Sequence, residues 1–227
     1  MPRTIQPELL DSLPPDHPDA LHNRRDLLLT NRVMGNHRWI AKTLPALLRP
    51  TDRILELGAG TGELAALLES RGIAVDAVDL WPRPDAFRPA RHWHQSDLRT
   101  FSGYGNYTVF VANLILHQFN DAELAQLGVA LAPSARVIVA CEPARHRAYQ
   151  FLYRTFAPLF GANHVSLHDA HVSIDAGFRR DELPRALGLS PADWRLRYRR
   201  APIGAYHLVA IRQSSAALQP ALFSSER

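Results

Sequence analysis

Alternating glycines flanked by carboxylates make residues 54–64 the part of the sequence best suited to binding a ligand. This stretch, ILELGAGTGEL, carries Gly58, Gly60 and Gly62, and glycine lets a ligand approach the backbone closely. Glu56 lies two residues before the first glycine, and Glu63 directly follows the last. Because carboxylates attract cations and repel anions, the loop favours a ligand that carries positive charge and no phosphate.

Two known phosphate-binding patterns differ from this loop. A nucleoside triphosphate loop needs a lysine directly after its last glycine, whereas the single lysine of this chain, Lys42, lies upstream. A dinucleotide loop has the pattern G-x-G-x-x-G, whose last interval is one residue longer than the interval here. Glu56 and Glu63 would also repel a pyrophosphate, so a dinucleotide-dependent oxidoreductase is disfavoured.

Two further acidic residues follow candidate strands. Asp79 ends the second strand about twenty residues after the loop, where a carboxylate can accept hydrogen bonds from a ribose diol. Asp97 follows the third strand and can accept from the exocyclic amine of an adenine. Together with Glu56, they predict a nucleoside that carries an amino acid and no phosphate. S-adenosylmethionine fits this description, because its ammonium and sulfonium groups are both cationic.

Four stretches resemble the class I S-adenosylmethionine-dependent methyltransferases. They are ILELGAGTGEL (54–64), AVDL (77–80), SDL (96–98) and NLILHQF (113–119). The resemblance extends over about residues 53–212, and it implies S-adenosylmethionine as the cofactor. It also implies that Gly58, Gly60 and Gly62 let the backbone approach the methionine part, with Glu56 at the amino group.

The same resemblance assigns the remaining cofactor contacts. It implies that Asp79 binds the ribose hydroxyls, that Leu80 packs on the adenine, and that Asp97 binds the adenine amine. The other cofactor-binding residues that it implies are Leu98, Asn113 and Leu114.

His117 is the candidate catalytic residue. It ends the fourth strand, where open α/β sheets bind their ligands, and histidine titrates near neutral pH, as a general base requires. Many relatives have two consecutive histidines here, whereas this chain has His117 and Gln118, so a histidine that only shapes the pocket is the alternative. Glu142 ends the fifth strand and is predicted either to orient a substrate hydroxyl or to bond a neighbouring arginine.

Two segments rich in apolar residues are predicted to determine the acceptor. Met34 and Trp39 of the N-terminal helices are expected to turn inward as parts of a lid, unless the helices are docked permanently on the sheet. Tyr149 and Tyr153 of a later insertion are expected to line an apolar pocket over the cofactor, unless they belong to the core.

Three histidines of the insertion have the spacing H-x3-H-x2-H. A metal site at His164, His168 and His171 is disfavoured, because no cysteine supports it and the segment could equally be a loop or a strand. We therefore predict no metal, and we expect His168 or His171 to enter the substrate pocket.

A shorter resemblance concerns the acceptor. RRDLLLTNRVMGNHRWI (24–40) and HVSIDAGFRRDEL (171–183) are similar to stretches of methyltransferases associated with type III polyketide synthases, some of which methylate phenolic lipids. This resemblance implies a small apolar acceptor, such as a phenolic lipid, methylated on a phenol oxygen. Methylation of a quinone-like or polyketide ring carbon is an alternative, and so is a non-catalytic binding protein that retains the fold.

Alternating strand and helix patterns predict how these residues are positioned. We expect an α/β, Rossmann-like, doubly wound sheet of seven strands, mostly parallel with an antiparallel last strand. Residues 1–50 are predicted to form the N-terminal helical extension and residues 51–212 the methyltransferase domain. Within that domain, 144–178 form a substrate-side insertion after the fifth strand, and residues 213–227 are a C-terminal tail.

The composition excludes several classes of protein. With 46% hydrophobic and 21% charged residues, the chain can build a full core. Its net charge of +4 comes from scattered arginines, so no nucleic-acid surface is expected, and no apolar run is long enough to span a bilayer. The single cysteine, Cys141, and the lack of a secretory signal pattern favour a cytoplasmic location. The sequence leaves the oligomeric state open.

Overall fold

The structure is a computed structural model that describes residues 1–14, 16–84, 87 and 91–213. The described residues form one seven-stranded sheet. Its strands are β1 (Ile54–Leu57), β2 (Asp76–Asp79), β3 (Trp93–Gln95), β4 (Val109–Asn113), β5 (Val137–Pro143), β6 (Trp194–Arg200) and β7 (Ala205–Arg212). The predicted C-terminal tail lies outside the described residues from position 214 onward.

The strand order is β3-β2-β1-β4-β5-β7-β6. Among the described strands, β7 alone runs in the direction opposite to the other six, and it pairs with both β5 and β6. Because the order reverses between β1 and β4, a crevice forms at the carboxyl ends of these two strands. The predicted doubly wound sheet with an antiparallel last strand is confirmed.

Helices cover both faces of this sheet. Those in the described part of the chain are α1 (Pro18–Met34), α2 (Asn36–Thr43), α3 (Glu63–Glu69), α4 (Asp121–Leu131), α5 (Arg147–Phe156), α6 (His164–Ala176) and α7 (Glu182–Ala186). Two separate buried apolar clusters pack under them. The residues of β4 and β5 alternate between the two clusters, since successive side chains of a strand point to opposite faces.

The segment between β5 and β6 is helical where the sequence left the choice open. Residues 164–171, which could equally be a loop or a strand, belong to α6, whose amino end is capped by the Asn163 side chain. A 3₁₀ turn, Ala157–Phe160, joins α5 to α6. The predicted fourth strand is shorter than expected, because Leu114 has a φ of 56° and ends the extended backbone.

The residues before α1 are bound to α6 and to the end of β4. The Thr4 N–H donates to the Asp175 carbonyl (3.2 Å), and the Leu9 N–H donates to Asp169 Oδ1 (2.7 Å). The Arg3 guanidinium donates to the backbone carbonyls of His117 and Phe119. This segment therefore lies beside the carboxyl end of β4, and Glu8, Leu10 and Asp11 of it line the cavity described below.

Candidate active site

A cavity of about 990 Å³ lies at the carboxyl ends of β1, β2 and β4. Its floor is formed by the glycine loop and the strand ends, and its walls by α1, α5 and α6. Nearly all of the predicted cofactor residues line it, namely Glu56, Gly58, Gly60, Asp79, Leu80, Asp97, Leu98, Asn113 and Leu114. The sheet therefore gathers residues that are distant in sequence at one place.

The three glycines of the loop have different surroundings. Gly58 has a φ of 65°, and a side chain there would overlap Ile115. Gly60 has a φ of 55°, and a methyl group there would meet nothing within 4 Å among the described residues, so its backbone is open to a ligand. Gly62, with a φ of 80°, precedes α3 and does not line the cavity. Its side chain position faces Phe87 instead, so its role is to turn the chain.

Glu56 is a buried carboxyl group with an unsatisfied oxygen. It is 3% exposed, and its Oε2 has no hydrogen-bond partner among the described residues. Burial raises the pKa of Glu56 to about 8, and the neighbouring charges of Glu63 and Asp79 add to this effect. A positively charged ligand group would supply what this carboxyl lacks.

Asp79 is held in place by the backbone around it. Its Oδ2 accepts from the Gly60 N–H (2.7 Å), and its Oδ1 accepts from the Trp81 N–H (2.9 Å). A carboxylate has about four acceptor positions, so Asp79 can still accept from a diol. Leu80 is 63% exposed beside it, and Arg24 lies 4.5 Å above the Trp81 ring, which also lines the cavity.

Asp97 and Leu98 follow β3. Asp97 Oδ1 accepts from the Arg99 N–H (2.8 Å), and its Oδ2 pairs with the Arg99 guanidinium (2.9 Å). Leu98 is buried and packs in the core below. Asp97 therefore retains acceptor positions at the cavity edge, although it shares its charge with an arginine.

Asn113 connects the end of β4 to the N-terminal helices. Its Nδ2 donates to Asn31 Oδ1 (3.0 Å) and lies 3.3 Å from His37 Nε2. Asn31 and His37 both line the cavity, and the sequence analysis did not identify either of them. They lie on two helices separated by the turn at Gly35, so no regular spacing indicates that they meet.

His117 lies between two carboxylates. Its Nδ1 is 2.8 Å from Glu142 Oε2, and its Nε2 is 3.3 Å from Glu8 Oε1. Burial disfavours the imidazolium, but the hydrogen bonds and charges of Glu142 and Glu8 outweigh burial and raise the pKa of His117 to about 9. The ring is therefore protonated at neutral pH while both carboxylates are in contact. Glu8 was not identified from the sequence.

Glu142 supports His117 and does not line the cavity. Besides the ring, it accepts from the backbone N–H groups of Ile115 (3.2 Å), Leu116 (2.9 Å) and His117 (3.3 Å). The sequence had predicted that Glu142 orients a substrate hydroxyl or bonds an arginine. Neither role is observed, because Glu142 is fully buried and its ion pair among the described residues is with His117. Its position fixes the turn after β4 and the orientation of the imidazole.

Apolar and aromatic side chains form part of the cavity wall. Met34, Tyr149 and Tyr153 line it, in the places expected for acceptor-binding residues. The Tyr149 hydroxyl donates to the carbonyl of Ala201 (3.3 Å), which ties α5 to the hairpin of β6 and β7. The phenol rings therefore present apolar surface to the cavity.

Three other predicted acceptor residues lie away from the cavity. Trp39 stacks on His207 with ring centroids 3.9 Å apart, because α2 turns this face toward the sheet. His168 contacts Asp169, and His171 lies one helical turn before Asp175 on the outer surface of α6. Helical geometry turns both rings outward, and no group suited to a metal ion occurs among the described residues.

We compared the chain with known protein families, curated sequences and solved structures. No protein-family model and no curated protein sequence matches the chain. The plantazolicin methyltransferase BpumL in complex with S-adenosylhomocysteine superposes with a TM-score of 0.68 and 12% identity, over 90% of this chain and 93% of that one.

Two further solved structures agree with it. Human N-acetylserotonin methyltransferase in complex with S-adenosylmethionine has a TM-score of 0.59 and 14% identity, over 90% of this chain and 61% of that one. Magnesium protoporphyrin IX methyltransferase from Synechocystis PCC 6803, with S-adenosylhomocysteine bound, has a TM-score of 0.52 and 16% identity, over 79% and 83%. The chain therefore has the fold of methyltransferases that bind S-adenosylmethionine or its product.

Proposed function

We propose that this protein is an S-adenosylmethionine-dependent methyltransferase that methylates a small apolar acceptor, most simply at a phenol oxygen. The main support for this proposal is the buried carboxyl of Glu56, one oxygen of which has no hydrogen-bond partner among the described residues. The open backbone of Gly60 and His117 line the same cavity. This arrangement suits an α-ammonium group at one end and a reacting hydroxyl at the other.

The described residues fit the cofactor. Glu56 would bind the ammonium, Gly58 and Gly60 would lie against the methionine part, and Asp79 would accept from the ribose hydroxyls. Asp97 would accept from the adenine amine, with Leu80, Leu98, Asn113 and Leu114 completing the site. The cofactor supplies an electrophilic methyl group on a sulfonium, so the protein must supply orientation and a place for the acceptor proton.

His117 is the group that takes up this proton. Its Nε2 faces Glu8, which lines the cavity, whereas Nδ1 is held by Glu142, which fixes the ring. A histidinium cannot accept a proton, so Glu8 has to leave Nε2 before His117 acts as a base. An acceptor hydroxyl that takes the place of Glu8 removes one carboxylate from the ring and thereby lowers the pKa of His117 toward neutrality.

An apolar acceptor is favoured by the apolar and aromatic side chains that form part of the cavity wall. Met34, Tyr149, Tyr153 and the neighbouring leucines and phenylalanines of α1 and α5 offer contact area but few hydrogen bonds. Methylation at a ring carbon would use the same deprotonation by His117. Locating the new methyl group in the product by NMR distinguishes the two positions.

Calorimetric titration tests the cofactor assignment. Purified protein is titrated with S-adenosylmethionine, S-adenosylhomocysteine and NAD, and so are the variants Asp79→Ala and, as a control on an exposed turn, Asp193→Ala. We expect both sulfur compounds to bind to the parent and to the control and to bind at least about tenfold more weakly to Asp79→Ala. Binding of NAD alone, or of no ligand by the folded protein, would overturn the proposal.

A panel of phenols tests the reaction. We expect methyl transfer to an apolar member of the panel and its loss in His117→Ala with cofactor binding retained. Cofactor binding without transfer to any acceptor would favour the non-catalytic alternative.

A further inference from the structure

The mouth of the cavity is surrounded by large apolar side chains that face solvent. Leu28 and Val33 on α1 are 40% and 54% exposed, and Phe151 and Phe156 on α5 are 69% and 50% exposed. Leu159 and Phe160 in the following turn are 76% and 67% exposed. We call this set the apolar rim. Contiguous apolar surface of this kind marks a place of interaction.

The two parts of the apolar rim are held together. His22 Nε2, on α1, lies 2.7 Å from the carbonyl of Gly161, which directly follows the turn that carries Leu159 and Phe160. The rim is also continuous with the inside of the cavity, because Leu28, Val33, Phe156 and Phe160 line it. The cavity therefore has an apolar edge at the outer surface, where an apolar molecule could enter.

Most of the charged side chains beside the apolar rim are basic, although Asp19 at the start of α1 is a partly exposed carboxylate that accepts from Asn163 Nδ2 (3.2 Å). Arg25 and Arg32 on α1 and Arg147 and Arg154 on α5 are all exposed. The sequence contains no carboxylate between Pro143 and His168, and Asp26 of α1 is buried against the Ser166 hydroxyl. Phe151 lies on the same face of α5 as Arg147 and Arg154, because residues three and four apart in a helix are neighbours. An exposed aromatic ring between two arginines is suited to the interface of an anionic bilayer.

The apolar side chains and the arginines together indicate which kind of partner binds to the apolar rim. A second copy of the chain placed on the rim would bring two arginine-rich surfaces together, and like charges across an interface are unfavourable. No helix among the described residues is long and apolar enough to cross a membrane. We infer that the apolar rim docks on the surface of an anionic membrane, from which an apolar acceptor enters the cavity. The docking depends on the rim alone, whereas the entry of an acceptor rests on the proposed function.

Sedimentation with lipid vesicles tests the docking. The full chain is mixed with vesicles of phosphatidylglycerol and phosphatidylcholine in equal parts, or of phosphatidylcholine alone. The test variant is Phe151→Ser with Leu159→Ser, since neither side chain lines the cavity. Val129→Ser is the matched control, because Val129 on α4 is 74% exposed and lies outside the rim. Arg147→Gln with Arg154→Gln tests the charge.

We expect the parent and Val129→Ser to sediment with the anionic vesicles, and more weakly with phosphatidylcholine alone. The Phe151, Leu159 double variant should lose about tenfold or more in the ratio of bound to free protein, because two large apolar side chains no longer leave water. The arginine double variant should reduce the preference for anionic vesicles and the dependence of binding on salt, because two of the four arginines beside the rim remain.

Three results would overturn the docking proposal. They are a parent that sediments with neither vesicle, a control that loses as much as the rim variant, and light scattering that shows a dimer which the rim variant alone dissociates. Each protein is also titrated with S-adenosylhomocysteine. Vesicle binding without cofactor binding would support the docking proposal and overturn the proposed function. Cofactor binding without vesicle binding would support the proposed function and overturn the docking proposal.

Discussion

Replacing Glu56 by glutamine should stabilise the protein and weaken its binding of the cofactor. The carboxyl is buried, one of its oxygens is unsatisfied, and its pKa is raised to about 8. Glutamine has nearly the same shape, and its carbonyl can still accept from the Ala65 N–H, which bonds Glu56. The substitution therefore removes a titratable group with little change in packing.

The pKa values give the size and the sign of the effect. An unfolded chain ionises Glu56 above pH 4.5, whereas the folded chain keeps it neutral up to about pH 8. Stability is therefore lost as pH rises through this window. The loss amounts to about 3 kcal/mol at pH 7 and about 5 kcal/mol at pH 9, as upper values. Glutamine does not ionise, so this loss of stability does not occur in the variant. The free energy of unfolding of Glu56→Gln should therefore exceed that of the parent by little at pH 4.5 and by most above pH 8.

Cofactor affinity should increase with pH, whereas the stability contributed by Glu56 decreases with pH. The ammonium of the cofactor needs the carboxylate form, so binding at pH 7 should release about one proton. The affinity of the parent for S-adenosylhomocysteine should rise with pH up to about 8. In Glu56→Gln, loss of a charged hydrogen bond should weaken binding by about ten- to a hundredfold.

Two measurements test this reasoning. Urea unfolding at pH 5, 7 and 9 gives the stability difference, with Asp193→Asn as a control carboxylate on the surface. Calorimetry in buffers of different ionisation enthalpy counts the released proton. A stability gain that does not change with pH, or unaltered binding of S-adenosylhomocysteine, would show that Glu56 is not an uncompensated acid at the ligand site.

Three further predictions concern other groups. Glu8→Gln should lower the pKa of His117 from about 9, as followed by NMR titration of the imidazole, and an unchanged pKa would contradict the role assigned to Glu8. Gly58→Ala should destabilise the fold by about 1–3 kcal/mol, because of the positive φ and the overlap with a neighbouring side chain, and a neutral effect in urea unfolding would refute this. Burial lowers the pKa of His207 to about 4, so its contribution to stability is lost as pH falls from 6.5 toward 4. His207→Phe should reduce this acid sensitivity in thermal unfolding, and equal sensitivity in the variant would count against the assignment.

The parts of the site that could be predicted from sequence are those fixed by local geometry. Gly58, Gly60 and Asp79 lie at strand ends, and a parallel sheet brings the carboxyl ends of its strands together. Glu56 precedes the loop on the same strand, so its approach to the cavity follows from strand geometry as well. For these residues the spacing along the chain is sufficient information.

The residues that could not be placed depend on how helices dock. Trp39 and His168 lie on helices whose apolar stripes are uneven, so the sequence does not say which side faces the sheet. In the structure Trp39 packs against His207, and His168 points outward beside Asp169. A rotation of about 100° per residue separates a cavity position from a surface position on a helix, and only tertiary packing decides between them.

Gln118 acquires a role only when the segment before α1 is in place. The sequence does not indicate this role, because Glu8 lies 110 positions before Gln118. In the structure Gln118 Nε2 donates to Glu8 Oε2 (3.3 Å), and the Ser173 hydroxyl donates to Glu8 Oε1. Both donors are neutral, so they hold Glu8 at His117 without placing another positive charge beside the Glu8 carboxylate. Withdrawal of Glu8 would uncover Nε2 and lower the pKa of His117 in one movement, because the same carboxylate causes both effects.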